Sequence, residues 1–157
     1  MRLGPRTDWL NTDFGRYVLC PASQVGSWQG TEADEVDMDA VGRVRIGGLD
    51  ALTLAGEPLQ ICYLADTMTF ARQVFADDDE LLPGAVRQAV ADGEWDEGFT
   101  VRLGGRYLLM DLALPGATGA GESLEIVLPY GLYQVLFTTV TPTEDAQFRL
   151  DRLRAAS

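Results

Sequence analysis

The sequence contains no histidine and no lysine. Without an imidazole there is no Ser-His or Cys-His dyad, no histidine general base and no imidazole metal ligand. Without lysine, all the positive charge rests on 12 arginines. An arginine-only basic set points to GC-rich bacterial codon usage, which concerns source and not function. Cysteine is scarce as well. Cys20 and Cys62 lie in apolar runs with no C-x-x-C spacing. They read as small buried hydrophobes in a reducing cytoplasm. Long apolar runs are missing too, so no segment has the length of a membrane span. The opening "MRLGPRTDWLNTD" has no apolar core of a signal peptide. The expected location is therefore the cytoplasm.

Positive charge is also outnumbered. Twenty-four acidic residues leave a net charge of −12. A surface this negative repels nucleic acid and anionic membranes, whose phosphates need cationic contacts. It attracts basic partners, or serves solubility alone.

What is present suits an ordinary globular chain. The 157 residues fit a single domain, 1–157, and 46% are hydrophobic. A chain of this length buries about 70% of its unfolded surface and needs no metal or disulfide to stay folded. Short β-like runs dominate. "RYVLCP" (16–21) ends at a proline, and "ASQVGSW" (22–28) is a helical turn or loop that plants Trp28. In "GRVRIGG", Val44 and Ile46 alternate with Arg43 and Arg45, the pattern of a half-buried strand. "DALTLAGEP", "LQICYLA" and "TFARQVFA" read as further strands. The best helix candidate is 79–92, beginning near Leu82 or Pro83, with Gly93 at its C-cap. "FTVRLG" and "RYLLMDLAL" flank Gly104-Gly105, a tight-hairpin signal. "SLEIVLP" and "GLYQVLFTTVTP" continue the strands, and "AQFRLDRL" reads as a last strand or, as the rival, a helix, with Phe148, Leu150 and Arg152 set against Gln147, Arg149 and Asp151. The predicted class is α+β, mainly antiparallel β as a sheet or a sandwich, with one clear helix near 79–92.

Several chemical motifs fail on inspection. "GATGAGES" (116–123) has P-loop spacing, but Glu122 stands where the phosphate-binding lysine belongs. In an EF-hand frame starting at Asp37, Val41 falls on a ligand position and Gly48 replaces the final glutamate. An irregular hard-cation site is what remains of a metal reading, and no cofactor is implied. Asp50, Glu57, Asp66 and Asp111 lie in or beside apolar runs, where burial could raise a carboxyl pKa. Turns explain Asp50 and Asp66, and a turn or an arginine partner explains Glu57. Asp111, inside "LLMDLAL", is expected to pair with an arginine.

The acidic residues fall in two bursts. "GTEADEVDMDA" (30–40) holds Glu32, Asp34, Glu35, Asp37 and Asp39, and "DDDE" holds Asp77, Asp78, Asp79 and Glu80. The second precedes the helix, where carboxylates cap backbone N–H groups and complement the helix dipole. Capping accounts for one or two of the four. The surplus is a solvated face or a binding face. Trp28 beside the first burst is either core-rim packing or an anchor for a partner. The candidate partner-binding set is thus Trp28, both acidic bursts and no catalytic residue.

The order of features resembles one known family. "WLNTDFGRYVLCPAS", then "WQG" and an acidic segment, then "RIGGLDALTLAGEP", "TFARQ" and "GLYQVLFTTVTPTEDAQFRLDRL" together are similar to the immunity proteins of bacterial polymorphic toxins, specifically immunity protein 21. The resemblance spans about 9 to 153 and rests on the ordered set, since no single motif is specific. It implies a non-enzymatic protein that binds and neutralises a cognate toxin, a basic one given the charge. The rival readings are a small-ligand-binding or regulatory β-domain, with a pocket between sheet and helix, and a carboxylate hydrolase using a divalent ion.

Overall fold

The chain's structure, a computed structural model, describes residues 6–12, 14–28, 41–113 and 122–156. The runs of β-branched and aromatic residues form strands β1 (Tyr17–Pro21), β2 (Val41–Ile46), β3 (Leu49–Leu54), β4 (Ile61–Leu64), β5 (Thr69–Ala76), β6 (Asp96–Asp111), β7 (Ser123–Thr143) and β8 (Ala146–Ala155). One α-helix, α1 (Leu82–Asp92), follows a 3₁₀ turn at Asp79–Leu81, and a second 3₁₀ turn spans Ala22–Ser27. The strands hydrogen-bond in the order β2-β3-β1-β6-β7-β8-β5-β4, one eight-stranded sheet. The β1–β3, β1–β6, β2–β3, β4–β5, β5–β8 and β7–β8 pairings are all antiparallel. The fold is α+β, mostly antiparallel sheet, with a single α-helix among the described residues.

The chain forms two compact units. The first comprises Met1–Trp9, Leu59–Thr100 and Tyr133–Ser157, and the second Leu10–Pro58 and Val101–Leu132. Strands β6 and β7 contribute residues to both.

In the first unit, α1 covers one face of β4, β5 and β8. Leu82, Val86 and Ala89 recur at helical spacing and pack on Cys62, Leu64, Ala71, Ala146, Phe148 and Leu150. Pro83 sits in the first turn of α1, where its missing N–H costs nothing. Gly93 is the C-cap as expected, but with an ordinary φ of −76°. The glycine is required there by crowding, because a Cβ would lie 2.6 Å from the Ala89 carbonyl oxygen.

The second unit builds its core beneath the 3₁₀ turn Ala22–Ser27. Val18, Cys20, Trp28, Ile46, Ala51, Ala55 and Leu112 cluster there. The β2–β3 hairpin turns at Gly47 (φ 58°) and Gly48 (φ 85°), the positive pair that a tight two-residue connection requires.

The hairpin expected at Gly104-Gly105 does not form. Strand β6 runs through the pair unbroken, with Gly105 at φ 98° as a local irregularity. The reason is close approach. A Cβ on Gly104 would meet the Tyr130 ring at 2.1 Å, so glycine admits a neighbouring side chain instead of turning the chain. "SLEIVLP" and "GLYQVLFTTVTP" likewise merge into one 21-residue strand, β7.

Candidate functional site

The "DDDE" run is divided between structure and solvent. Asp78 accepts the Glu80 N–H at 2.9 Å and caps the 3₁₀ turn. Helix α1 itself has no side-chain cap. The capping expected for the helix is therefore spent one turn earlier. Asp79 holds the N-terminal segment. Its Oδ2 accepts the Trp9 Nε1–H at 2.6 Å and an Arg6 Nη2–H at 3.0 Å. The Arg6 guanidinium also stands 5.1 Å from the centre of the Trp9 ring, and that ring stacks on Phe148. Asp77 and Glu80 remain exposed, with no arginine in ion-pair contact among the described residues. The Asp77 N–H donates to the Asp145 carbonyl at 3.1 Å, which brings the turn Glu144-Asp145 alongside.

Next to these carboxylates an open groove of about 520 Å³ runs between α1 and the end of β7. Its helix wall is Leu81, Ala85, Gln88, Ala89 and Asp92, one face at i, i+4 spacing. Gly84 adds to the hollow, since a Cβ there would meet nothing within 4 Å. The strand wall is Thr138 to Pro142. Glu94 closes one end, where its carbonyl accepts the Thr138 hydroxyl at 3.0 Å.

A second hollow of about 310 Å³ lies within the other unit, lined by Arg45, Leu49, Asp50, Arg102, Tyr107 and Tyr130, among others. Asp50 accepts from Arg45 Nη1 at 3.1 Å and from the Arg102 N–H at 3.0 Å. It therefore works inside β3 and not in a turn. Tyr130 is 86% exposed.

The other candidates fall as follows. Trp28 is 1% exposed and belongs to the core, so its ring is no surface anchor. The backbone explains this. The 3₁₀ turn ends at Trp28, whose N–H donates to the Val25 carbonyl, and the ring folds under the turn. Glu32, Asp34, Glu35, Asp37 and Asp39 lie outside the described residues, as does most of the loop 116–122. Asp111 is buried without the arginine partner expected for it among the described residues. Its Oδ1 accepts the Ala113 N–H at 2.8 Å and turns the chain at the end of β6. Among the described residues no group of three or more His, Cys, Asp or Glu is placed to hold a metal. No helix there is long and apolar enough to cross a membrane.

One buried charge pair escaped the sequence pattern. Arg72 on β5 and Asp151 on β8 form an ion pair at 3.1 Å with side chains 5% and 4% exposed. Burial raises the Asp151 pKa, while Arg72 and Arg149 pull it back only in part. The available signal was a charge of each sign inside the apolar runs "TFARQVFA" and "FRLDRL". Burial pushes the Cys20 thiol up to about 11 and the Cys62 thiol up to about 12. Neither is a thiolate nucleophile near neutral pH.

Two surface hollows stand among the described residues, a carboxylate-rimmed groove and an aromatic-arginine hollow. Comparison with known proteins places the chain among immunity proteins. It belongs to the immunity protein 21 family, whose model matches residues 8–146. No curated protein and no solved structure matches it.

Proposed function

We propose that this chain is a non-enzymatic, cytoplasmic immunity protein that binds a basic cognate toxin through an acidic surface and so neutralises it. The family match over residues 8–146 carries the reading. The charge supports the basic character of the partner. Complementary charge accelerates encounter and rejects wrong partners more than it sets final affinity. The contact surface includes Asp77, Asp78 and Glu80 and, from the first burst, Glu32, Asp34, Glu35, Asp37 and Asp39. Asp79 contributes by fixing the segment that carries Arg6 and Trp9.

The test is co-expression with the toxin encoded beside this gene. Cells carrying both are expected to survive. Death at the rate seen with toxin alone would sink the proposal. The rival ligand-binding reading placed a pocket between sheet and helix, where the groove between α1 and β7 lies, but Asp111, its example of a convergent polar group, lines neither hollow.

The chain acts, in this proposal, as a single domain, because β6 and β7 each run through both units. Calorimetry is expected to show one unfolding transition with matching calorimetric and van't Hoff enthalpies. Two resolved transitions would separate the units.

A further inference from the structure

The two hollows differ in charge, and that difference selects one of them. Among its described residues the first unit carries thirteen acidic residues against six arginines, and the second carries five against five. Of the six, Arg6, Arg72, Arg87 and Arg154 are each paired with a carboxylate. The groove between α1 and β7 belongs wholly to the acidic unit, and no arginine lines it. Asp92 and Glu94 stand at one end without an ion-pair partner among the described residues. The other end is bounded by Leu81 and Pro142, and these adjoin Glu80 and the turn Glu144-Asp145 in the chain. Between the two acidic ends, apolar Leu81, Ala85, Ala89, Val140 and Pro142 share the walls with Gln88, Thr138, Thr139 and Thr141. Leu81 is 40% exposed at the groove's edge.

We infer that this groove is the docking site for an arginine- or lysine-bearing segment of the cognate toxin. The inference rests on the toxin-binding reading above. The occupant's apolar side chains fill the space over Gly84 and Ala85, and its flanking cations meet Asp92 and Glu94 at one end and Glu80, Glu144 and Asp145 at the other. The burial supplies affinity and the charges supply orientation and rate. Asp92 ends a helix, where its charge opposes the helix dipole, so it does not stabilise the helix.

Two variants test the groove without threatening the fold. Gly84→Gln fills open space in a helix that prefers almost any residue to glycine. Asp92→Asn with Glu94→Gln keeps side-chain shape and removes the charge. The full-length chain is titrated with the toxin domain encoded beside it, at two salt concentrations. Gly84→Gln is expected to weaken binding at least tenfold through faster dissociation. The double amide variant is expected to slow association several-fold and flatten its salt dependence. Tyr130→Ala, in the other hollow, is expected to leave the affinity unchanged. Wild-type binding with unaltered affinity in both groove variants overturns the groove assignment while the toxin-binding reading stands, as does a loss confined to Tyr130→Ala. No wild-type binding at all removes both.

Discussion

The two units cover their strands by different means. The first lays an eleven-residue helix over β4, β5 and β8, and the second folds a six-residue 3₁₀ turn and one tryptophan over β1 and β3. A helix that presents Gly84, Ala85 and Ala89 beside β7 packs along its Leu82, Val86, Ala89 and Val90 stripe. It leaves a groove on its flank. A tryptophan under a short turn fills its own space, and the second unit's hollow opens elsewhere, beside Asp50 and Tyr130. The units also differ in how charge enters the packing. The first buries Arg72 with Asp151 and clamps Arg6 and Trp9 on Asp79. The second keeps Trp28 in an apolar cluster. In the first unit, the groove and the buried Arg72–Asp151 pair therefore lie on the same set of elements, α1, β5, β7 and β8.

Mutations can break that contrast. The largest losses are expected from one residue in each unit. Arg72→Ala strands the Asp151 carboxylate in the interior and should cost about 3–5 kcal/mol at neutral pH, measured by urea unfolding. Joint replacement by Met and Leu should recover most of it, because a well-packed apolar pair replaces a buried ion pair at little cost. Trp28→Ala should cost a similar 3–5 kcal/mol by the same measurement, as a cavity in an apolar core. The two should part on acidification. The Arg72→Ala loss shrinks as Asp151 takes up a proton, and the Trp28→Ala loss does not. Equal pH behaviour would erase the distinction between the units.

Asp79→Ala is expected to cost less, about 1–2 kcal/mol. It removes two charge-assisted hydrogen bonds at a site that water still reaches. The accompanying signal is a change in Trp9 fluorescence as the indole N–H loses its acceptor.

The smallest effect is the pH dependence of Asp151 itself. Its folded pKa is raised, so the folded state binds this proton more tightly than the unfolded chain does. The associated stability is complete below the ordinary carboxylate range, about pH 4, and is lost as pH rises through the folded value. Wild type and Asp151→Asn should match near pH 3.5, and wild type should fall behind the amide variant toward pH 7. A gap that stays constant would mean that Arg72 fully offsets the burial.

Much of this architecture was readable from residue alternation. Val44 and Ile46 against Arg43 and Arg45 place β2 because one side of that strand is solvated. Alternation failed where no polar face exists. In β8, Leu150, Asp151 and Leu153 are all buried, so Asp151 looked outward in the sequence and lies inward in the fold. Gly104-Gly105 misled for a related reason. A glycine pair signals a turn only if no side chain needs the space, and Tyr130, 25 residues on, cannot be foreseen locally. Trp28 was ambiguous because its neighbours in sequence are polar while its neighbours in space are Val18, Cys20 and Ala51. The family was legible because ordered landmarks survive where single motifs do not. A pocket between sheet and helix was expected under the rival reading alone, and its lining was not legible, since that depends on how far α1 stands from β7.

The two sequestered thiols have a practical consequence. With Cys20 and Cys62 buried, and no lysine in the chain, thiol- and amine-directed reagents find almost nothing on the native side chains to modify. A single cysteine introduced at Gln88, an exposed position on the groove wall, would thus carry a fluorophore or spin label with little background. Without further engineering, the chain could carry a reporter at the one surface where occupancy matters most.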